Sequence, residues 1–155
     1  MPSTEEKLRV LAKVARAFQG LTWAVGSSAM LYLRGITEDF HDLDLFVTME
    51  DAGRAKEILK TLGTFYPSET NPRYCSRCFA EFTVDGVDID LIGGFAIRAG
   101  ERVHDCSLRQ ELILGSCELY SQRIPLMDPE IWISWYTLMG RPEWTEKIRK
   151  FLENK

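Results

Sequence analysis

The sequence has 155 residues, enough for one domain with one sizeable core and too few for two ordinary ones. Its 45 % hydrophobic and 27 % charged content is that of a globular chain, and no apolar run approaches the ~20 residues of a membrane-spanning helix. A net charge of −4 argues against broad binding to nucleic-acid backbone, which needs clustered Lys and Arg, and suits a small charged substrate carried with a divalent cation.

The first residues lack the basic start and apolar centre of a signal peptide, so a cytoplasmic location is expected. In that reducing compartment Cys75, Cys78, Cys106 and Cys117 are expected to be thiols or metal ligands rather than disulfides.

In chain order, Ser3 and Glu6 have capping-box spacing, and Leu8, Leu11, Ala15 and Phe18 recur on one face, which predicts a first helix stopped by Gly20. Residues 21–25 read as a short buried strand, Gly26-Ser27-Ser28 as a turn, and residues 29–34 as a helix ended by Gly35. A strand is expected over 42–47. A third helix follows, with Thr48 and Asp51 at capping spacing and an apolar face through Ala52, Ala55, Ile58, Leu59 and Leu62. Residues 66–72, rich in Pro and Asn, form the softest stretch.

Strands over 78–84 and 87–92 flank Asp85-Gly86, a two-residue hairpin signal. Further short strands are expected near 101–106, 117–120 and 122–126. Asp128-Pro129 announces a helix over 129–139, and Pro142 opens another over 142–152. The order of elements predicts an α/β (α+β) architecture, a mixed sheet covered by helices, in a single domain over 1–155.

Asp42-Leu43-Asp44-Leu45 places two carboxylates on one face of a strand, because side chains alternate with period two. Such a pair suits Mg²⁺, a hard cation that takes oxygen ligands while keeping water and substrate phosphates. A third acid would allow two ions about 3.5–4 Å apart. Val87-Asp88-Ile89-Asp90-Leu91 repeats the alternation and offers Asp90 or Asp88. Gly26 lets a phosphate approach the backbone, and the following helix start with Ser27 and Ser28 supplies donors.

These motifs together resemble the minimal nucleotidyltransferases of the DNA polymerase β superfamily, a group related to aminoglycoside and lincosamide nucleotidyltransferases and to some toxin–antitoxin proteins. The resemblance covers residues 21–94. Beyond them it is looser, since Arg141-Pro142 is followed by Glu143-Trp144 where many relatives carry a basic residue. It implies that Asp42 and Asp44 hold the metal, and that Asp90, with Asp88 as alternate, completes the site as base. Gly26, Ser27 and Ser28 then bind the nucleotide. The implied reaction moves a nucleoside monophosphate from a nucleoside triphosphate, ATP being the first choice, to a hydroxyl on a small molecule, a protein or an RNA end, releasing pyrophosphate. A protein partner or a homodimer is compatible with this family. The competing expectation is a module of the same fold that has lost turnover and acts as a regulator, for example in a toxin–antitoxin pair.

Other signals carry less. Cys75-x-x-Cys78 with His104-x-Cys106 has the ligand types of a zinc site, but small core cysteines are the expected reading. His41 beside Asp42 is an alternate neighbour of the metal, and Arg34, Arg73 and Arg77 are alternate phosphate contacts. Trp132, Trp135, Tyr136 and Trp144 have the spacing of core packing or a dimer face rather than of base stacking.

Overall fold

The computed structural model describes residues 2–67 and 76–154. Helix α1 (Thr4–Ala17) opens with the expected capping box: the Ser3 hydroxyl accepts from the Glu6 N–H, and the Glu6 carboxylate accepts from the Ser3 N–H, both at 3.1 Å. Strand β1 (Trp23–Gly26) runs directly into α2 (Ser27–Leu33), so the helix starts two residues earlier than its apolar pattern suggests. Strand β2 (Leu43–Val47) and α3 (Met49–Leu62) follow. Thr48 makes no side-chain cap. Its supposed partner Asp51 instead accepts from the Thr22 N–H at 2.8 Å, tying α3 to the chain entering β1.

A three-residue strand, β3 (Thr64–Tyr66), was not expected, being too short to show a period. The Asp85-Gly86 hairpin joins β4 (Cys78–Val84) to β5 (Val87–Gly93), both central turn residues having positive φ. The strand expected near 101–106 is half of a second hairpin, β6 (Ala96–Ala99) with β7 (Arg102–Asp105). Strand β8 (Ile113–Leu119) starts four residues earlier than expected, because an irregularity between Ile113 and Ser116 breaks the alternation. Strand β9 (Gln122–Met127) leads to Asp128, whose side chain accepts from the Glu130 N–H to cap α4 (Pro129–Leu138), and α5 (Pro142–Glu153) ends the fold.

Seven strands form one mixed sheet in the order β3-β4-β5-β2-β1-β9-β8. The pairs β2/β5 and β1/β9 are parallel, the others antiparallel. The alternation of β2 and β5 divides the sheet into two unlike faces. Leu43, Leu45, Ile89 and Leu91 are fully buried on one face, where Phe18, at the C-cap of α1, meets Trp23 edge-on at 5.2 Å and Ala52 of α3 lies against Gly93. The opposite face carries the acids and, beyond them, Phe46, against which Trp132 of α4 packs at 5.5 Å. No helix of the described residues is long and apolar enough to cross a membrane.

Candidate functional site

Register, rather than any loop, assembles the acids. Gly26 lies opposite Asp44, Asp44 opposite Asp90, and Asp90 opposite Glu81, so one row across β1, β2, β5 and β4 carries three carboxylates side by side. Asp42 precedes β2 and stands exposed at the edge of the same group. Asp88 is exposed and faces Thr83, two pairs nearer the turn than Asp90. The two-residue turn fixes this register: it pairs Val84 with Val87, and counting outward brings Glu81 to Asp90. Glu81 was therefore legible in the hairpin signal but was not read from it.

Asp44 and Asp90 hydrogen-bond to each other, and Ser27 donates to Asp44. Two carboxylates in contact need a shared proton, and the titration belongs to the pair. Burial pushes Asp90 up to about 8, helped by the charges of Asp44, Asp42 and Glu81. Burial likewise raises Asp44, to about 6, with the Asp42 charge adding and the Ser27 hydrogen bond opposing.

The turn before α2 works differently from expectation. Gly26 has an ordinary extended backbone at φ −125°. Its lack of a side chain is needed by its neighbours, since a Cβ there would lie 2.6 Å from the Phe46 ring and 2.8 Å from the Met127 sulfur. The left-handed residue is Ser27, at φ 53°. A non-glycine residue there costs on the order of 1–3 kcal/mol and persists only where its surroundings over-determine it. The bond to Asp44 is one such constraint.

A cavity of about 630 Å³ opens over the row. Ser27, Ser28, His41, Asp42, Asp44 and Asp90 line its polar side, and Phe46, Phe95, Trp132, Tyr136 and Trp144 its aromatic side. The aromatic residues of the C-terminal helices thus serve as core and cavity wall together. Trp132 is buried, and its indole N–H finds no hydrogen-bond partner among the described residues. The Arg141 guanidinium lies over the Tyr136 and Trp144 rings at 6.0 and 5.8 Å. A second cavity of about 450 Å³, on the β3–β4 side, shares Asp42, Glu81 and Asp90 with the first and adds Asp88 and Tyr66.

Arg34 does not line either cavity; it donates to the carbonyls of Leu114 and Met127, clamping α2 to β8 and β9, and burial lowers its pKa. Arg77 meets Gly94 through its backbone N–H at 3.3 Å. Arg73 and Cys75 lie outside the described residues. Of the other cysteine-motif residues, Cys106 is buried, its thiol pushed up to about 11 by that burial.

Among the described residues no three His, Cys, Asp or Glu side chains are gathered as a ready-made metal cage. The donor chemistry on the row fits Mg²⁺ nonetheless. That cation uses one or two protein carboxylates and fills its remaining positions with water and phosphate oxygens. Asp44 and Asp90, opposite each other on the row, are two such donors.

No protein-family model matches the chain, and a search of curated proteins returned no match. Solved structures do match. A Thermotoga maritima protein provisionally classed as a nucleotidyltransferase superimposes with a TM-score of 0.75 at 24 % identity, over 99 % of this chain and 97 % of that one. ANT(2″)-Ia in complex with adenylyl-2″-tobramycin gives 0.63 at 14 % identity, over 94 % and 88 %. The lincosamide antibiotic adenylyltransferase LnuA, lincomycin-bound, gives 0.64 at 8 %, over 96 % and 98 %. At these identities the likeness is one of fold, and this chain has the nucleotidyltransferase fold.

Proposed function

We propose that the chain is a Mg²⁺-dependent nucleotidyltransferase that moves a nucleoside monophosphate from a nucleoside triphosphate, ATP first, to a hydroxyl group. The observation that carries this reading is the contact of Asp44 with both Asp90 and Ser27 in the wall of a cavity large enough for a nucleotide. The fold likeness supports this reaction class, and the case for the chemistry rests on the site.

Asp42 and Asp44 would hold the metal, with Asp90 closing the site. Once bound, Mg²⁺ neutralises charge on the triphosphate and polarises the phosphorus under attack. Ser27, Ser28 and the backbone at the start of α2 offer donors to phosphate oxygens, and the aromatic side suits a planar base. Asp90 takes the acceptor's hydroxyl proton while the new O–P bond forms and the bond to pyrophosphate breaks. Burial and the neighbouring acids hold its pKa up in the metal-free site, and bound Mg²⁺ would offset those charges and free the carboxylate to accept the proton. The acceptor fits the description of a small hydroxylated molecule, because the acids lie in the walls of two finite cavities. A compartment supplying nucleoside triphosphate and Mg²⁺, the cytoplasm, is the natural setting.

The test is incubation with nucleoside triphosphates and Mg²⁺ in the presence of hydroxylated acceptors, scoring pyrophosphate release and melting temperature. Mg²⁺-dependent binding is expected for the wild type and loss of it for Asp44→Asn. Absence of any Mg²⁺-dependent nucleotide binding by the wild type would sink the reading, and binding without turnover on any acceptor would favour the regulatory module.

A further inference from the structure

Lysine is rarely buried, because its head must be dehydrated. Lys7 is only 9 % exposed, on the inward side of α1. Among the described residues no carboxylate stands within ion-pair distance of it. Its Nζ donates to the carbonyl of Phe40 at 2.6 Å and lies 5.0 Å from the centroid of the Phe40 ring.

Phe40 belongs to the irregular segment between α2 and β2. Five residues of that segment, Thr37, Asp39, Phe40, His41 and Asp42, line the main cavity. The start of the segment is tied locally, by the Ile36 N–H to the Leu31 carbonyl at 2.8 Å. Its end depends on Phe40, whose ring is fully buried and packs against Tyr32 at 5.0 Å. The tie from Lys7 comes from 33 residues away. Asp44 is held by ladder pairs on both sides, whereas Asp42 lies just outside the ladder. The Asp42 carboxylate is therefore placed between two anchors, the paired and buried Leu43 on one side and the backbone from Phe40 on the other.

We propose that Lys7 is a positioning residue for Asp42: by holding both the carbonyl and the ring of Phe40 it fixes the segment that presents Asp42 to the cavity. The inference rests on the reading of Asp42 as a metal-holding carboxylate and extends it to a residue on the far side of the sheet. A buried lysine with a purely structural duty would stabilise the fold without altering the site, and the two duties can be told apart.

The experiment compares full-length wild type, Lys7→Met and Val14→Ala. Methionine keeps the apolar stem and removes the donor, while Val14, fully buried on α1 about two turns beyond Lys7, provides a destabilised control. Amide hydrogen exchange without metal is read over residues 36–42, and Mn²⁺ alone is titrated as the metal probe. Lys7→Met is expected to speed exchange in 36–42 and to raise the half-saturating Mn²⁺ concentration roughly tenfold, the scale seen when a contact behind a metal ligand is lost. Val14→Ala should leave both at their wild-type values. Exchange over 36–42 no faster in Lys7→Met than in Val14→Ala overturns the inference, whatever the protein binds. An unmoved Mn²⁺ midpoint in Lys7→Met, with the wild type binding, overturns it too. Failure of the wild type to bind Mn²⁺ is a failure of the functional reading instead, and the exchange comparison then decides the case of Lys7.

Discussion

At the scale of single residues, Asp44 and Asp90 make stability depend on pH in a direction opposite to that of most carboxylates. Both are raised in the folded state, to about 6 and about 8, above the 3.8 of an unperturbed aspartate. Between these values the folded chain binds more protons than the unfolded one, so stability falls as pH rises. The pair's contribution to metal-free stability should therefore be full below about pH 4 and be lost up to about pH 8, each kcal/mol being worth about 2–4 °C in Tm. Asp90→Asn should flatten that profile, and Glu81→Gln should move its upper end to lower pH by removing one of the charges that raise Asp90. A melting curve that instead rises between pH 4 and 8, and does so equally in Asp90→Asn, would show that the pair does not share a proton. Gly26 gives a second expectation. A Cβ there collides with the buried Phe46 ring, so Gly26→Ala should cost about 1–3 kcal/mol, as overpacking does, measurable by denaturant titration.

At the scale of elements, the β4–β5 hairpin sets Glu81 opposite Asp90. Its turn residues have φ of 49° at Asp85 and 81° at Gly86, a conformation open to glycine and strained for alanine. Gly86→Ala should therefore destabilise the fold by about 1 kcal/mol or more. Slippage at the turn would move Glu81 off Asp90, whereas the pairing of Asp44 with Asp90 belongs to the β2–β5 ladder and should hold. Equal stability of wild type and variant in urea would contradict the strain. The ion pair of Lys13 with Asp85 at 3.1 Å also reaches this turn, but both side chains are about half exposed and such pairs contribute little.

At the scale of the whole molecule, the cavity exists because the C-terminal helices lie over the sheet face that carries the acids. Its polar side comes from α2, the segment before β2, β2 itself and β5, and its aromatic side is completed by α4 and α5, whose Tyr136 and Trp144 stack at 5.9 Å. A ligand bridging the two sides should stabilise the assembly as a unit. Nucleoside triphosphate with Mg²⁺ at a hundred times its dissociation constant should add about 2.7 kcal/mol by mass action, a rise of several degrees in Tm. Asp44→Asn should lose most of that rise while melting no lower than wild type without ligand. An equal rise in both proteins would place the nucleotide elsewhere.

The sequence by itself determined what depends on near neighbours along the chain. The capping box at Ser3 and Glu6, the Asp85-Gly86 hairpin, the N-cap at Asp128 and the inward leucines between the acids of β2 follow from local periodicity and turn chemistry. The pairing of Asp42-Leu43-Asp44 with a later acidic strand was legible for the same reason, since alternation fixes which side chains share a face. Only the tertiary structure decided what comes from crossing chains. It set Asp90 directly opposite Asp44, gave Gly26 its reason in Phe46 and Met127, and turned the aromatic residues of α4 into a cavity wall. It moved Arg34 from phosphate contact to backbone clamp and brought Lys7 to Phe40. Strand order and helix docking are fixed by burial summed over the whole chain, and no window of adjacent residues contains that sum.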